Sequence, residues 1–249
     1  MNRQYLREIL LRSPLPPDSY LNDLPAVRYL AQGHRLVLDA PVSFLVGENG
    51  TGKSTLLEAV AVACGFNAEG GSRNFRFSTR DTHSELGGYL TVVRGDYPQD
   101  GFFLRAESFY NVASEVDDLD RIDHLLDSYG GVSLHKQSHG ESFLALVQNR
   151  FGGHGLYLLD EPEAALSPTR LMSLMILLRQ LTEKGSQFLI ATHSPILMAF
   201  PGARIYELSD TGIRQTAYRE TEHYRLTKRF LNDPESMLRE LFEDSDETN

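Results

Sequence analysis

A chain of 249 residues with 41% hydrophobic and 23% charged residues has the balance of an ordinary globular protein, long enough to bury a core without covalent staples. Its single cysteine, Cys64, excludes a disulfide framework and any cysteine-based zinc site, and no apolar run approaches the roughly 20 residues of a membrane span. The 34 acids against 24 bases leave a formal charge of −10, which argues against a surface that coats nucleic acid throughout but allows a local basic patch.

The opening MNRQYLREILLRSP has charges inside its one apolar stretch and no secretory h-region, so a cytoplasmic setting without direct membrane insertion is expected. The segment up to about Pro25, with Pro14, Pro16 and Pro17, reads as an irregular lead-in. Short strands are expected at Ala26–Leu30 and Arg35–Asp39, then a buried strand at Pro41–Val46. Lys53–Cys64 is apolar on nearly every face, which predicts a buried helix. Strands follow at Tyr89–Val93 and Phe102–Arg105, with helices at Phe109–Glu115, Asp120–Tyr129 and Ser142–Asn149. A strand at Leu156–Asp160, a helix at Pro168–Lys184 and strands at Gln187–Ala191 and Ile205–Leu208 come next. Helices at His223–Leu231 and Pro234–Phe242 close the series. Strands that are continuously apolar and alternate with helices predict an α/β class with a mainly parallel sheet and flanking helices. One domain is expected over 1–243, and Glu240–Asn249, with five acids and no base, predicts a disordered acidic tail at 244–249.

Gly47-Glu48-Asn49-Gly50-Thr51-Gly52-Lys53-Ser54 matches G-x-x-x-x-G-K-[ST] at every required position. Such a loop turns several backbone N–H groups inward at phosphate oxygens, and glycines stand where a Cβ would block the approach. Lys53 would reach the β- and γ-phosphates and Ser54 would ligate Mg2+, with Thr55 next in a helix whose N-terminus faces the anion. An apolar strand before and a strong helix after are the context the motif needs, so this is a nucleotide site. Farther on, the apolar strand LYLL ends in Asp160 and Glu161. An aspartate at that tip can hold the Mg2+ water shell, and the adjacent Glu161 can polarise a water for attack on the γ-phosphate.

From here the residues resemble the ABC-type ATPases, in particular the SMC, RecF and OLD-like branch. Glu161-Pro162-Glu163-Ala164-Ala165-Leu166-Ser167-Pro168 is similar to that class's Walker B and D-loop run, and Ala191-Thr192-His193-Ser194-Pro195 to its switch histidine, which contacts the γ-phosphate. Gln137-Ser138-His139-Gly140-Glu141-Ser142 resembles a degenerate ABC signature in which Ser138 and Gly140 are kept, His139 replaces a glycine and Glu141 the usual glutamine. The same serine followed three residues later by glutamate is also a capping box, and one segment can serve both roles. Ser138 follows Lys53 by 85 positions, Asp160 follows Ser138 by 22, and His193 follows Asp160 by 33, as the class requires. The glutamine-bearing loop has no clear match, Glu107 being the best placed residue. For the adenine, Tyr29 is either a stacking partner or a core residue.

The resemblance implies a P-loop fold of the ABC-ATPase type with a smaller antiparallel strand region near the N-terminus and a helical signature subregion at about 108–150. It also implies hydrolysis of ATP with Mg2+ in a homodimer formed around two ATP molecules. With no coiled coil between Lys53 and Ser138, the chain is similar to stand-alone AAA/ABC-like ATPase heads. Three couplings stay open. The first is a DNA-linked role in repair or defence, for which Arg73, Arg76 and Arg80, interleaved with Phe75 and Phe77, offer a basic-aromatic patch. That segment also reads as a loop folding over the nucleotide. The second is the soluble ATPase subunit of a transporter, and the third an ATP-dependent dimerisation switch for a protein partner.

Overall fold

The computed structural model describes residues 4–72, 84–107, 109 and 138–246. The chain opens with β1 (Leu6–Leu11), a 3-10 turn at Tyr20–Asp23, α1 (Pro25–Ala31), β2 (Leu36–Val37), β3 (Val42–Gly47) and α2 (Lys53–Ala63). After β4 (Leu90–Arg94) and β5 (Asp100–Arg105) come α3 (His139–Arg150), β6 (Gly155–Asp160), α4 (Pro168–Glu183), β7 (Gln187–Ala191) and α5 (Pro195–Met198). The hairpin β8 (Arg204–Ser209) and β9 (Gly212–Thr216) leads to α6 (Glu222–Asn232) and α7 (Pro234–Asp246).

Six strands form one sheet in the order β5-β6-β7-β3-β8-β9, parallel throughout except for the antiparallel hairpin partner β9. Both faces are covered. Phe44, Val46, Tyr157 and Leu159 pack with residues of α3 and α4, while Leu45, Leu156 and Leu158 pack with α2, α1 and β1. This two-sided burial explains why the central strands read as unbroken apolar runs. The second sheet, β2-β1-β4, is antiparallel, as expected near the N-terminus. The two sheets are joined through Gln187 of β7. Its buried amide accepts the N–H groups of Tyr5 and Leu6 at 2.8 and 2.9 Å and donates to the Leu6 carbonyl at 2.8 Å.

Three expectations change. Ala26–Leu30 is helical rather than extended: Ala26, Val27 and Leu30 are buried while Arg28 is exposed, which is helical spacing, and Pro25 occupies the first turn. The lead-in contains β1, whose period-two pattern is masked by a register shift between Leu6 and Glu8 that lets Leu6 and Ile9 both face inward. The last helix runs through Asp246, three residues into the expected tail. The expected helix Asp120–Tyr129, all of Phe109–Glu115 but its first residue, and the patch Arg73, Arg76 and Arg80 lie outside the described residues.

Candidate active site

The phosphate loop leaves β3 between β7 and β8 and enters α2 directly. Gly47 has φ 143°, and a Cβ there would lie 2.2 Å from the Leu208 carbonyl, so the strand can pass only without a side chain. Gly50 and Gly52 are left-handed, at φ 82° and 92°, with Gly52 capping α2. The Glu48 carbonyl, turned into the loop, accepts Lys53 Nζ at 3.0 Å and Thr51 Oγ1 at 2.8 Å. Burial pulls the Lys53 ammonium below its ordinary pKa, opposed by the charges of Glu161 and Asp160. Ser54 and Thr55 sit half-buried on the first turn, and Asn49 is exposed at the loop's outer edge. That edge borders a groove of about 1080 Å³ shared with Asp210 and with His223, Arg225 and Arg229 of α6.

Parallel pairing brings the tip of β6 to this loop. Ser54 Oγ donates to Asp160 Oδ1 at 2.9 Å, joining the two motifs across 106 residues of sequence. Arg105, opposite Asp160 in the β5–β6 register, has Nε 3.6 Å from Asp160 Oδ2 and is itself held by Glu58 of α2 at 2.8 Å. Burial pushes the Asp160 carboxyl up to about 6, against the downward pull of the Ser54 hydrogen bond and the Arg105 charge. A hydroxyl and a carboxylate oxygen are a hard donor pair that fits Mg2+, with room beside them for its waters.

Glu161 follows in a left-handed conformation, φ 48°, uncommon for a residue with a Cβ. Its N–H donates to the Ala191 carbonyl at 3.0 Å, and the bend turns its side chain toward the loop after β7. There His193 Nε2 lies 3.5 Å from Glu161 Oε1. Glu163 braces this loop from the other side, accepting the Thr192 hydroxyl at 2.8 Å and the His193 N–H at 2.5 Å. Burial, then the charge of Lys53, holds the His193 imidazole below its ordinary pKa, so neutral imidazole is favoured.

Ser54, Glu107, Asp160 and Glu161 line one cavity of about 450 Å³, together with His139 at the start of α3. Ser138 itself caps α3 as the capping box predicts. Its Oγ donates to Glu141 Oε2 at 2.6 Å, and Arg170 of α4 donates to Ser138 Oγ at 3.1 Å and to Glu141 Oε1 at 3.0 Å. The serine hydroxyl and Arg170 hold the Glu141 carboxyl below the usual range. Gly140 packs beside them, against Arg170 and the Ala165 carbonyl. The structure therefore gathers the phosphate loop, Asp160, Glu161 and His193 in one place, and the α3 start that carries Ser138 and Gly140 borders the same cavity through His139. Tyr29 is on α1, stacked on His34 with ring centroids 4.5 Å apart. Sequence reasoning missed Arg105, Arg170 and His223, since an arginine or histidine outside a motif carries no spacing signal.

A family model described as "AAA domain" matches residues 26–108, and one described as "AAA domain, putative AbiEii toxin, Type IV TA system" matches 122–199. The chain is 27% identical over 191 residues to the "Macrolide export ATP-binding/permease protein MacB" of Hahella chejuensis, covering 67% of this chain and 28% of that protein. It is 24% identical over 191 residues to the "Galactose/methyl galactoside import ATP-binding protein MglA 2" of Photobacterium profundum, covering 69% of this chain and 37% of that protein. Thus it spans about a third of the length of these curated relatives. Among solved structures it is similar to cbiO1 from Clostridium perfringens, described as part of the ABC transporter complex cbiONQ, with 18% identity, coverage of 96% and 99%, and a TM-score of 0.51. Motif order, sheet topology and these matches agree: the chain carries an ATP-binding P-loop domain with an ABC-ATPase-like α/β fold, its two halves each matched by an AAA-domain model.

Proposed function

We propose that the chain hydrolyses ATP with Mg2+ and that two copies pair around two ATP molecules during the cycle. The observation that carries hydrolysis is the Ser54–Asp160 hydrogen bond with Glu161 as the next residue, turned toward His193. Ser54 and Asp160 would hold Mg2+, which would supply charge neutralisation to the phosphates. Lys53 neutralises the β- and γ-phosphates, Glu161 accepts a proton from the attacking water, and His193 Nε2–H donates to the γ-phosphate. Pairing rests on the family resemblance of Ser138 and Gly140, which would face the partner's γ-phosphate. The test is Glu161→Gln, an amide of the same shape that is a poor base: ATP affinity should stay within about twofold while phosphate release falls at least a hundredfold. Wild-type turnover in that variant would remove Glu161 from the role.

The coupling we favour is nucleic-acid-linked, in repair or defence. It is supported by the branch-like run from Asp160 to Pro168 and by the basic-aromatic sequence around Arg73, Arg76 and Arg80. A second reading, as the ATP-binding subunit of a transporter, is favoured by the relatives matched over 191 residues, a macrolide export ATP-binding/permease protein and a galactose/methyl galactoside import ATP-binding protein. The two separate on DNA retention at low salt with and without ATP. DNA binding that falls in the Arg73, Arg76 and Arg80 triple alanine variant supports the first; none in either nucleotide state leaves the second.

A further inference from the structure

Beyond every motif residue, one side chain reaches the switch histidine. His223, on the first turn of α6, places Nε2 3.1 Å from His193 Nδ1, with the two rings 5.3 Å apart and tilted by 54°. Its position is fixed by the helix start. Thr221, fully buried, caps α6 by accepting the Tyr224 N–H at 3.3 Å and donating to the Tyr218 carbonyl at 2.8 Å, and Glu207 accepts the Glu222 N–H at 3.1 Å. Two further ring nitrogens, His193 Nε2 and His223 Nδ1, are buried without a hydrogen-bond partner among the described residues.

An imidazole bonded at Nδ1 has its tautomer set by that bond. If Nδ1 accepts, Nε2 must carry the proton, and Nε2 is the nitrogen 3.5 Å from Glu161. His223 Nε2 can be that donor whether His223 is neutral or protonated, so the arrangement needs no titration. We propose that His223 is a positioning residue: its Nε2–H donates to His193 Nδ1, holding His193 in the Nε2–H tautomer and aiming that proton into the site. This makes α6, far along the chain from both nucleotide motifs, a working part of the catalytic centre. The inference rests on the reading of His193 as the phosphate-contacting residue, and the two fail in different ways.

The test compares His223→Leu, which removes the donor, with His223→Gln, whose Nε2 amide restores one at nearly the same place. Steady-state hydrolysis of Mg-ATP should show kcat reduced about tenfold in H223L with KM for ATP unchanged, and recovery to within about threefold of wild type in H223Q. In a His193→Ala background, H223L should bring no further loss. Histidine side-chain 15N NMR of the full chain should report His193 Nδ1 as a hydrogen-bonded acceptor beside a protonated Nε2 in wild type and H223Q, and should show that Nδ1 signal shifted to its unbonded position in H223L. Wild-type kcat in H223L, equal damage in both His223 variants, or an unchanged His193 Nδ1 signal in folded H223L would each overturn the proposal. If His193→Ala itself turns over like wild type, the phosphate-contact reading falls and takes the catalytic half of the proposal with it. The Nδ1 signal still decides whether His223 donates to His193.

Discussion

Gly47 sits at the end of β3 beside Leu208 of β8, and its missing side chain is a spatial demand, since a methyl group would press on the Leu208 carbonyl from 2.2 Å. Gly47→Ala should therefore displace the loop or cost several kcal/mol, visible as a lowered urea midpoint together with lost ATP affinity. Lys53→Ala, by contrast, should abolish ATP binding in a fluorescent-nucleotide titration while leaving the midpoint near wild type. Asp160 carries a cost of another kind. Its carboxyl moves from an ordinary 3.8 to about 6 in the fold, so the folded chain binds that proton more tightly than the unfolded chain does. Stability is then lost as pH rises from about 4 to about 6, by at most about 3 kcal/mol. In metal-free buffer Asp160→Asn should be the more stable protein at pH 7.5, the advantage vanishing below pH 4; a less stable variant at pH 7.5 would refute the sign. At this scale the sequence named the loop, Asp160, Glu161 and His193, because motifs fix residue type and spacing together. Arg105, Arg170 and His223 reach the site through strand register or helix docking, which no local pattern records.

Helix α3 meets α4 and the loop after β6 through small, closely set groups. A Cβ on Gly140 would come within 2.6 Å of Arg170 Nη1 and 2.9 Å of the Ala165 carbonyl. The arginine end can move aside, whereas the carbonyl belongs to backbone held beside Glu161. Gly140→Ala should thus destabilise the protein by about 1–3 kcal/mol, and adding Arg170→Ala should not relieve it; full relief in the double variant would show that the guanidinium was the obstacle. The long helices α2 and α4 and the buried strands were legible from their apolar pattern. Short elements were not: α1 has seven residues, with Val27 and Tyr29 of strand-like type, and only its burial against α2 and β9 decides for helix. The strand β9, Gly212–Thr216, has one buried side chain, Ile213, and gains its pairing from β8.

Paired chains predict a complementation that a single chain cannot show. If each γ-phosphate meets Lys53 of one copy and Ser138 of the other, Lys53→Ala and Ser138→Arg should each be inactive alone. Mixing them concentrates both lesions in one site of the mixed dimer and leaves its twin intact, so hydrolysis should partly return. ATP-dependent pairing of differently tagged chains is scored alongside, in case the sites fire only together. Near wild-type turnover in Ser138→Arg, with no rise in activity per chain as concentration increases, would reduce Ser138 to a helix cap whose loss costs about 1 kcal/mol. The overall architecture was legible because alternating strands and helices leave few topologies, but the attachment of the N-terminal sheet was not, since it joins groups far apart in the chain: the Gln187 amide and an apolar cluster in which Leu6 and Ile9 meet α2 and the main sheet. The Gln187 amide offers an oxygen and an N–H as a peptide group would, so β1 is tied to the middle of the main sheet rather than to its margin. In deuterated buffer the amide protons of Tyr5 and Leu6 should then exchange as slowly as those of β7, so that the first residues of β1 open only with global unfolding.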